Sequence, residues 1–444
     1  MNGNYTVGID LGTSGIKMFI CEKQMALKTT CSGCFEFDLK TAFDKLFTVV
    51  PPESIRAVGF SGQTGTYLLV TNHSICKTIH WYDPGREPYL AKTYELLSQQ
   101  EYLAYTGMLH PSIASYPIPT ALYLKDIGYE SGLIMQPKDY CLYLLSGEFV
   151  SDVGSWRGLV GPDICDFYPE ILEAVGLDRN RLPKFAEWTR VNANGAERFG
   201  LPEGTPLAIG YNDFYAALQG LNISEEGNCF DITGTSEHFG LVSKLRSVNA
   251  GVDSPYDHDL RVNYAVTASS GVSLEWGLKT FGAPQRIMKG APVFLPCLRG
   301  ERFPFLDPNA RGMMVGITPS CGREELAYAV QEGVAFSIFS IYKMLDSPKV
   351  SVIAGTGGAT ASPLLNRMKA SLIDAPYWTF KPDCGSSLGA AKAAGGVWDN
   401  EAAVYEPDME MREILLERYE VFEKLYPAWK REISSERTES LFPV

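Results

Sequence analysis

Two carboxylates and two Gly-Thr-Ser turns carry the chemistry that can be read from this chain. Asp10 stands at the mouth of "DLGTSG", where Gly12, Thr13, Ser14 and Gly15 separate two apolar, alternating segments, residues 5–11 and 16–20. Such alternation reads as strand, turn, strand. A glycine turn by itself asks for nothing more than a hairpin. The same backbone with a carboxylate beside it can also cradle phosphate oxygens and hold Mg²⁺. Half a chain length later "CFDITGTSEHFGLVS" repeats the arrangement, with Gly234, Thr235 and Ser236 at the turn. Asp213, in "LAIGYNDFYAALQG", stands where an apolar strand gives way to a helix. Its plain role there is a helix cap, worth about 1 kcal/mol; it is equally placed to take the proton of a substrate hydroxyl. Phosphoryl transfer needs little beyond an aligned alcohol, a base, Mg²⁺ and donors on the phosphate oxygens. With Asp10 in one half and Asp213 in the other, the expected site is completed by domain closure, which also shuts out water.

The elements that must position these residues follow from pattern. A chain of 444 residues suggests two or three domains with full cores. The cluster "LPEGTP", residues 201–206, marks a break, and the expected domains are 1–206 and 207–444. Repetition at this separation suggests two related domains rather than a solenoid. Leu39, Ala42, Phe43 and Leu46 fall at helical spacing, with Asp38 as the expected cap. "IRAVGFSGQ" reads as a third strand ending in Gln63, residues 85–150 read mainly as helices, and "VSVIAGTGGATASPLLNRMKASL" reads as strand, glycine loop and helix. A small-residue helix, "SSLGAAKAAGG", and a charged amphipathic helix over residues 412–431 close the chain.

Composition removes several classes. A formal net charge of −13 argues against a general nucleic-acid binder. No apolar run reaches the length of a membrane span, and the N-terminus lacks the plan of a signal peptide. "CSGC", Cys31 to Cys34, is the one close pair among scattered cysteines, weak grounds for zinc or redox work; a reducing cytoplasm is expected. No Gly-Lys pair exists for a Walker A loop. "GTGGAT", with Asp374 beyond it, is a poor dinucleotide fingerprint because Thr360 fills the last glycine position. Those glycines can equally let an adenine or ribose lie against backbone.

In this order and spacing the motifs resemble the FGGY family of carbohydrate kinases, in the actin, sugar-kinase and heat-shock-chaperone ATPase superfamily, over nearly the whole chain. "GIDLGTSGIK" is similar to the first phosphate loop, "GYNDFYAALQG" to the catalytic-base segment and "ITGTS" to the second phosphate loop. "ASSGVSLEWGL", with Trp276, "LPCLRGERFPFLDPNARGMMVGI", "AGTGGATASPLLNRMKASLIDAPY" and "LGAAKAAG" have their counterparts too. The resemblance implies an α/β fold of two related actin-like ATPase (ribonuclease H-like) domains, each a mixed sheet flanked by helices, with a nucleotide cleft between them. It implies Asp213 as general base, Asp10 as organiser of Mg²⁺, and Gly12, Thr13, Ser14 and Lys17 with Gly234, Thr235 and Ser236 on the ATP phosphates. Gly357, Gly358 and Asn366 would border the adenosine, and Glu301 and Arg302 would be architectural.

On the sugar side the candidates are Gln63, Thr64, Trp81, Asp83, Asn212 and Asp213. "SGQTGT" matches the start of the Ser-Gly-Gln-Met-His-Gly pattern of xylulose kinases, with Thr64 and Gly65 in place of Met and His. "WYDPGR" resembles W-x-D-x-R with one residue inserted, which displaces Arg86. Trp81 and Asp83 serve as an apolar wall and a hydroxyl acceptor, or as a core ring and a turn residue. His238 is expected in a loop. The expected acceptor is a ketopentose such as xylulose; another sugar, a polyol or an aldonate is the alternative, as is a non-catalytic ATP- and sugar-binding regulator or switch. Expected partners are ATP and a small sugar, without nucleic acid or membrane, and with a homodimer as an open possibility.

Overall fold

The opening segment folds as the hairpin its alternation predicts. β1 (Tyr5–Leu11) pairs antiparallel with β2 (Gly15–Ile20) and sets Asp10 opposite Lys17. A computed structural model describes residues 3–433 apart from 112, 248, 258, 347, 381–384 and 399–401. β3 (Met25–Thr30) adds antiparallel to β2, an exposed edge strand that the apolar pattern did not announce. β4 (Ile55–Gly62) runs parallel to β1, so "IRAVGFSGQ" is the fourth strand rather than the third. The helix Phe35–Phe47 buries Leu39, Ala42, Phe43 and Leu46, as their spacing requires. Its N-cap is Cys34; Asp38 lies inside the helix, and its carboxylate accepts the N–H groups of Ser32 and Gly33, fastening the preceding turn.

β5 (Trp188–Arg190) and β6 (Pro206–Asn212) complete the first sheet in the order β5-β6-β4-β1-β2-β3. Because β6 is hydrogen-bonded in parallel to β4, the first compact unit continues past residue 206. It comprises Met1–Asn222, Ser254–Tyr256 and Cys384–Asn400, which differs from the expected division at 206/207 and brings Asp213 into the first unit. The small-residue helix Gly385–Ala393 packs on β1, β4 and the helix Asp213–Gly220. Val7, Ile9, Val58, Phe60, Leu207 and Ile209 are buried in the sheet, and each such side chain contributes roughly 1.5–3 kcal/mol on leaving water.

The second unit is Ile223–Asp253, Asp257–Asp383 and Glu401–Val444. Six strands of its sheet are β7 (Asn228–Thr233), β8 (Glu237–Ser243), β9 (Leu260–Thr267), β10 (Val352–Gly357), β11 (Tyr377–Thr379) and β12 (Ala403–Tyr405). Their order is β12-β11-β10-β7-β8-β9. β7–β8 is an antiparallel hairpin extended by β9, β10 is parallel to β7, β11 to β10, and β12 closes the rim antiparallel. Strand for strand this is the order and direction of the first sheet, the repeat that the two Gly-Thr-Ser turns announce. The expected helix over 412–431 is instead Met409–Phe422 followed by the short Leu425–Ala428; Pro427 has no N–H to continue the first. Among the described residues no helix is long and apolar enough to cross a membrane.

Candidate functional site

At the start of the helix Asp213–Gly220 the cap is Asn212, not Asp213. Asn212 is fully buried; its Oδ1 accepts the N–H of Tyr215 and its Nδ2 donates to the Gly154 carbonyl. Its Oδ1 thus serves the helix start and its Nδ2 ties that start to the segment carrying Gly154. Asp213 is left half-buried, its Oδ1 accepting the N–H groups of Phe214 (2.9 Å) and Thr64 (3.3 Å). Burial, then the charge of Asp10, push its carboxyl up to about 7; the two N–H donors and Arg157 pull the other way. Arg157 lies over the rings of Phe214 and Tyr215 and donates to the Tyr215 hydroxyl. Asp10 is 6% exposed and accepts the Ser61 hydroxyl at 3.0 Å. Burial raises its carboxyl above the usual range, opposed by Ser61 and Lys17. Asp10 and Asp213 do not come from separate domains as expected: both belong to the first unit.

The first Gly-Thr-Ser turn and the sugar-side candidates form one constellation. Thr13 Oγ1 donates to Gln63 Oε1 at 2.9 Å, and Trp81 Nε1 donates to Thr13 Oγ1 at 3.2 Å. Thr66 ties in from behind, bonding Gln63 and the Trp81 N–H. The Trp81 ring is 49% exposed, an open apolar surface rather than a core ring. Asp83 caps a turn by accepting the Gly85 N–H. Arg86 is fully buried and donates to the carbonyls of Gly65 and His80 and to Thr120 Oγ1, supporting the 64–66 loop from beneath. Ser14 and Lys17 are exposed.

In the second unit Gly234, Thr235 and Ser236 make the turn between β7 and β8, closed by the Gly234 N–H donating to the Ser236 carbonyl at 2.8 Å. This turn walls a cavity of about 730 Å³, within the size range of small-molecule sites. The other walls are the helix Ser270–Phe281, the first turns of the helix Arg323–Met344, and residues 358–364. Two glycines let backbone pass close behind the turn. A Cβ on Gly271 would lie 1.8 Å from the Gly234 carbonyl oxygen; on Gly357, at φ +97°, it would lie 1.9 Å from that of Thr233. Gly358 lines the cavity, whereas Asn366 is buried in the helix Pro363–Ile373 and donates to the Thr360 carbonyl. Asn366 therefore holds the loop and does not border the cavity itself. His238 lies in β8 opposite Ile232, not in a loop. Glu301 accepts the N–H groups of Ala268 and Arg302, and burial pushes it up to about 7.

Besides Arg157, two features have no counterpart in the sequence reading. One is Ser61 on Asp10. The other is a buried cluster of Asp231, Glu237, Lys369 and Tyr377 around the second turn. The only signals for the cluster were an Asp in an apolar strand and a Glu directly after Gly-Thr-Ser.

A sequence profile described as "FGGY family of carbohydrate kinases, C-terminal domain" matches residues 231–397. The chain is also 25% identical over 486 aligned residues to the xylulose kinase of Lactococcus lactis subsp. lactis (strain IL1403), with 96% of each chain covered. Together these matches support an FGGY carbohydrate kinase. It is 24% identical to the gluconokinase of Bacillus subtilis (strain 168), covering 87% of this chain and 86% of that one. The crystal structure of ligand-bound xylulose kinase from Lactobacillus acidophilus superposes with a TM-score of 0.83 at 20% identity, covering 96% of this chain and 99% of that one. The chain is thus an ATP-dependent sugar kinase with the two-domain actin-like ATPase fold.

Proposed function

We propose that this kinase transfers the γ-phosphoryl group of ATP to a hydroxyl of a ketopentose such as xylulose, with Asp213 as the general base. The observation that carries the reading is the bond from the Thr64 N–H to Asp213. It ties the base to the same loop as Gln63, whose amide oxygen receives Thr13. Base, sugar loop and phosphate turn are then parts of one hydrogen-bonded assembly in the first unit. Asp213, freed from capping by Asn212, takes the proton of the attacking hydroxyl. Trp81 offers its exposed face to the carbon skeleton, and Gln63 and Thr64 contact its hydroxyls. Thr13, Ser14 and Lys17 in the first unit are donors suited to phosphate oxygens, and so are Thr235 and Ser236 on the Gly234 turn of the second; the cavity beside Gly358 takes the adenosine.

The carboxylate of Asp10 fits Mg²⁺, a hard cation bound through one or two carboxylates, phosphates and waters. One of its oxygens takes the Ser61 hydroxyl, which orients the group. Bound there, Mg²⁺ would neutralise charge on the phosphates. Every described cysteine is a free thiol, which agrees with a cytoplasmic location.

A second reading, an aldonate acceptor, is favoured by Arg157 beside Asp213, since a guanidinium suits a substrate carboxylate. The comparison of kcat/KM for D-xylulose, D-ribulose, D-gluconate and glycerol decides between them. A ketopentose at the head of that order is expected; gluconate at its head overturns the ketopentose reading. Thr64→Met is expected to change the KM for the sugar about tenfold and leave the KM for MgATP unaltered. The reverse pattern would remove Thr64 from the sugar site.

A further inference from the structure

The second Gly-Thr-Ser turn stands on a buried ionic cluster that phosphoryl transfer does not itself require. Lys369, in the helix Pro363–Ile373, has no exposed side-chain surface, and neither have Asp231 and Glu237. Its Nζ donates to Asp231 Oδ2 and to Glu237 Oε1, both at 2.5 Å. The Tyr377 hydroxyl adds a second bond to Asp231 Oδ2 at 2.7 Å. Thr233 Oγ1 donates to Glu237 Oε1 at 2.9 Å. A buried cation must be paired and hydrogen-bonded to persist; here burial opposes the charge of Lys369 and the two carboxylates more than offset it.

The partners are placed to act on the turn. Asp231 is on β7, two residues before its last residue, Thr233, and Glu237 is the first residue of β8. Thr233 and Glu237 face each other across the hairpin, so they are the two feet from which residues 234–236 rise. Lys369 binds one foot directly and draws Asp231 towards it from the neighbouring strand. Behind the turn, backbone at Gly271 passes so close to the Gly234 carbonyl, and at Gly357 to that of Thr233, that neither position has space for a side chain. The turn is therefore held at its feet by charge and at its back by close backbone.

We infer that Lys369 is a positioning residue for the second phosphate turn, fixing the Thr233–Glu237 hairpin base from beneath so that the N–H groups and hydroxyls of Thr235 and Ser236, on a turn closed by the Gly234 N–H, meet nucleotide phosphates. Lys369 touches no substrate. The inference rests on the kinase reading above, and its test separates the two.

The triple variant Asp231→Asn, Glu237→Gln, Lys369→Met removes all three charges together, so no unpaired charge stays buried. Thermal unfolding, MgADP titration calorimetry and steady-state kinetics are measured on it and on the unmodified protein. The variant is expected to fold and to bind MgADP about tenfold more weakly, with kcat/KM for MgATP lowered about a hundredfold. The KM for the sugar is expected to stay unaltered. Should the triple variant not fold, Tyr377→Phe, which deletes one hydrogen bond to Asp231, is expected to weaken MgADP binding about threefold. Unaltered MgADP affinity in the folded triple variant overturns the inference, as does unaltered affinity in Tyr377→Phe where that variant stands alone. Failure of the unmodified protein to bind MgADP contradicts the kinase reading, and the inference falls with it.

Discussion

Asp213→Asn is expected to lower kcat about a thousandfold, the scale of a positioned general base, while MgADP affinity stays unaltered. The substitution is close to isosteric, and Asn can still accept the Phe214 and Thr64 N–H groups that fix the side chain. What it removes is the site for the hydroxyl proton. A carboxyl pushed up to about 7 is also well matched to this task, because a base works best with a pKa near the operating pH. The sign follows: Asp213 must be ionised to act, so kcat/KM of the unmodified enzyme falls as pH drops through about 7, and the residual activity of the Asn variant lacks that limb. The same shift has an opposite consequence for stability. A carboxyl whose folded value lies above its unfolded value of 3.8 burdens the fold only when ionised. The burden is absent below that value, grows between it and about 7, and is constant above. Asp213→Asn is therefore expected to be more stable to unfolding than the parent at pH 8, by about 1–2 kcal/mol once partial exposure is allowed for, and to lose the advantage near pH 4. Wild-type turnover in the Asn variant would mean that another group is the base.

Asp10→Asn is the second large effect. Its carboxylate is held by Ser61 at the mouth of the first turn, and Asn keeps the shape and the hydrogen bond while losing the charge that a hard cation requires. We expect kcat to fall about a hundredfold, roughly 2.7 kcal/mol of transition-state stabilisation, with half-maximal activity displaced to higher Mg²⁺ concentration. Asp213 should titrate lower in this variant, because the Asp10 charge is one of the two causes that raise it. An unchanged Mg²⁺ dependence would remove Asp10 from the metal site.

The two hairpins and the strand-to-helix junction at Asp213 were legible because each is local: period-two alternation, a glycine turn, an apolar strand running into a helix start. Non-local pairing was not. Nothing in "PLAIGYN" states that it runs parallel to "IRAVGFSG", and that pairing, with the helix Gly385–Ala393 packed on both sides of it, puts Asp213 in the same unit as Asp10. Capping was misjudged for a related reason. Asn212 and Asp213 are neighbours of equal capping ability, and only the backbone shows which one reaches the N–H of Tyr215. Arg86 illustrates the limit of motif reading: the inserted residue in "WYDPGR" left its place at the sugar site open, and only the structure shows its donors going to carbonyls under the loop. The Lys369 cluster was hidden because a strand pattern gives the face a residue occupies but not its partner. Asp231 and Glu237 read as polar interruptions until a lysine from a helix far along the chain meets them.

The central claim is that this chain couples ATP cleavage to phosphorylation of a sugar hydroxyl. Simultaneous measurement of ADP and sugar phosphate from MgATP, with and without D-xylulose, tests it most directly. The account predicts ADP release that depends on the sugar, equals the sugar phosphate formed, and disappears in Asp213→Asn. ADP release that is indifferent to the presence of every sugar tried, with no phosphorylated product, would contradict it.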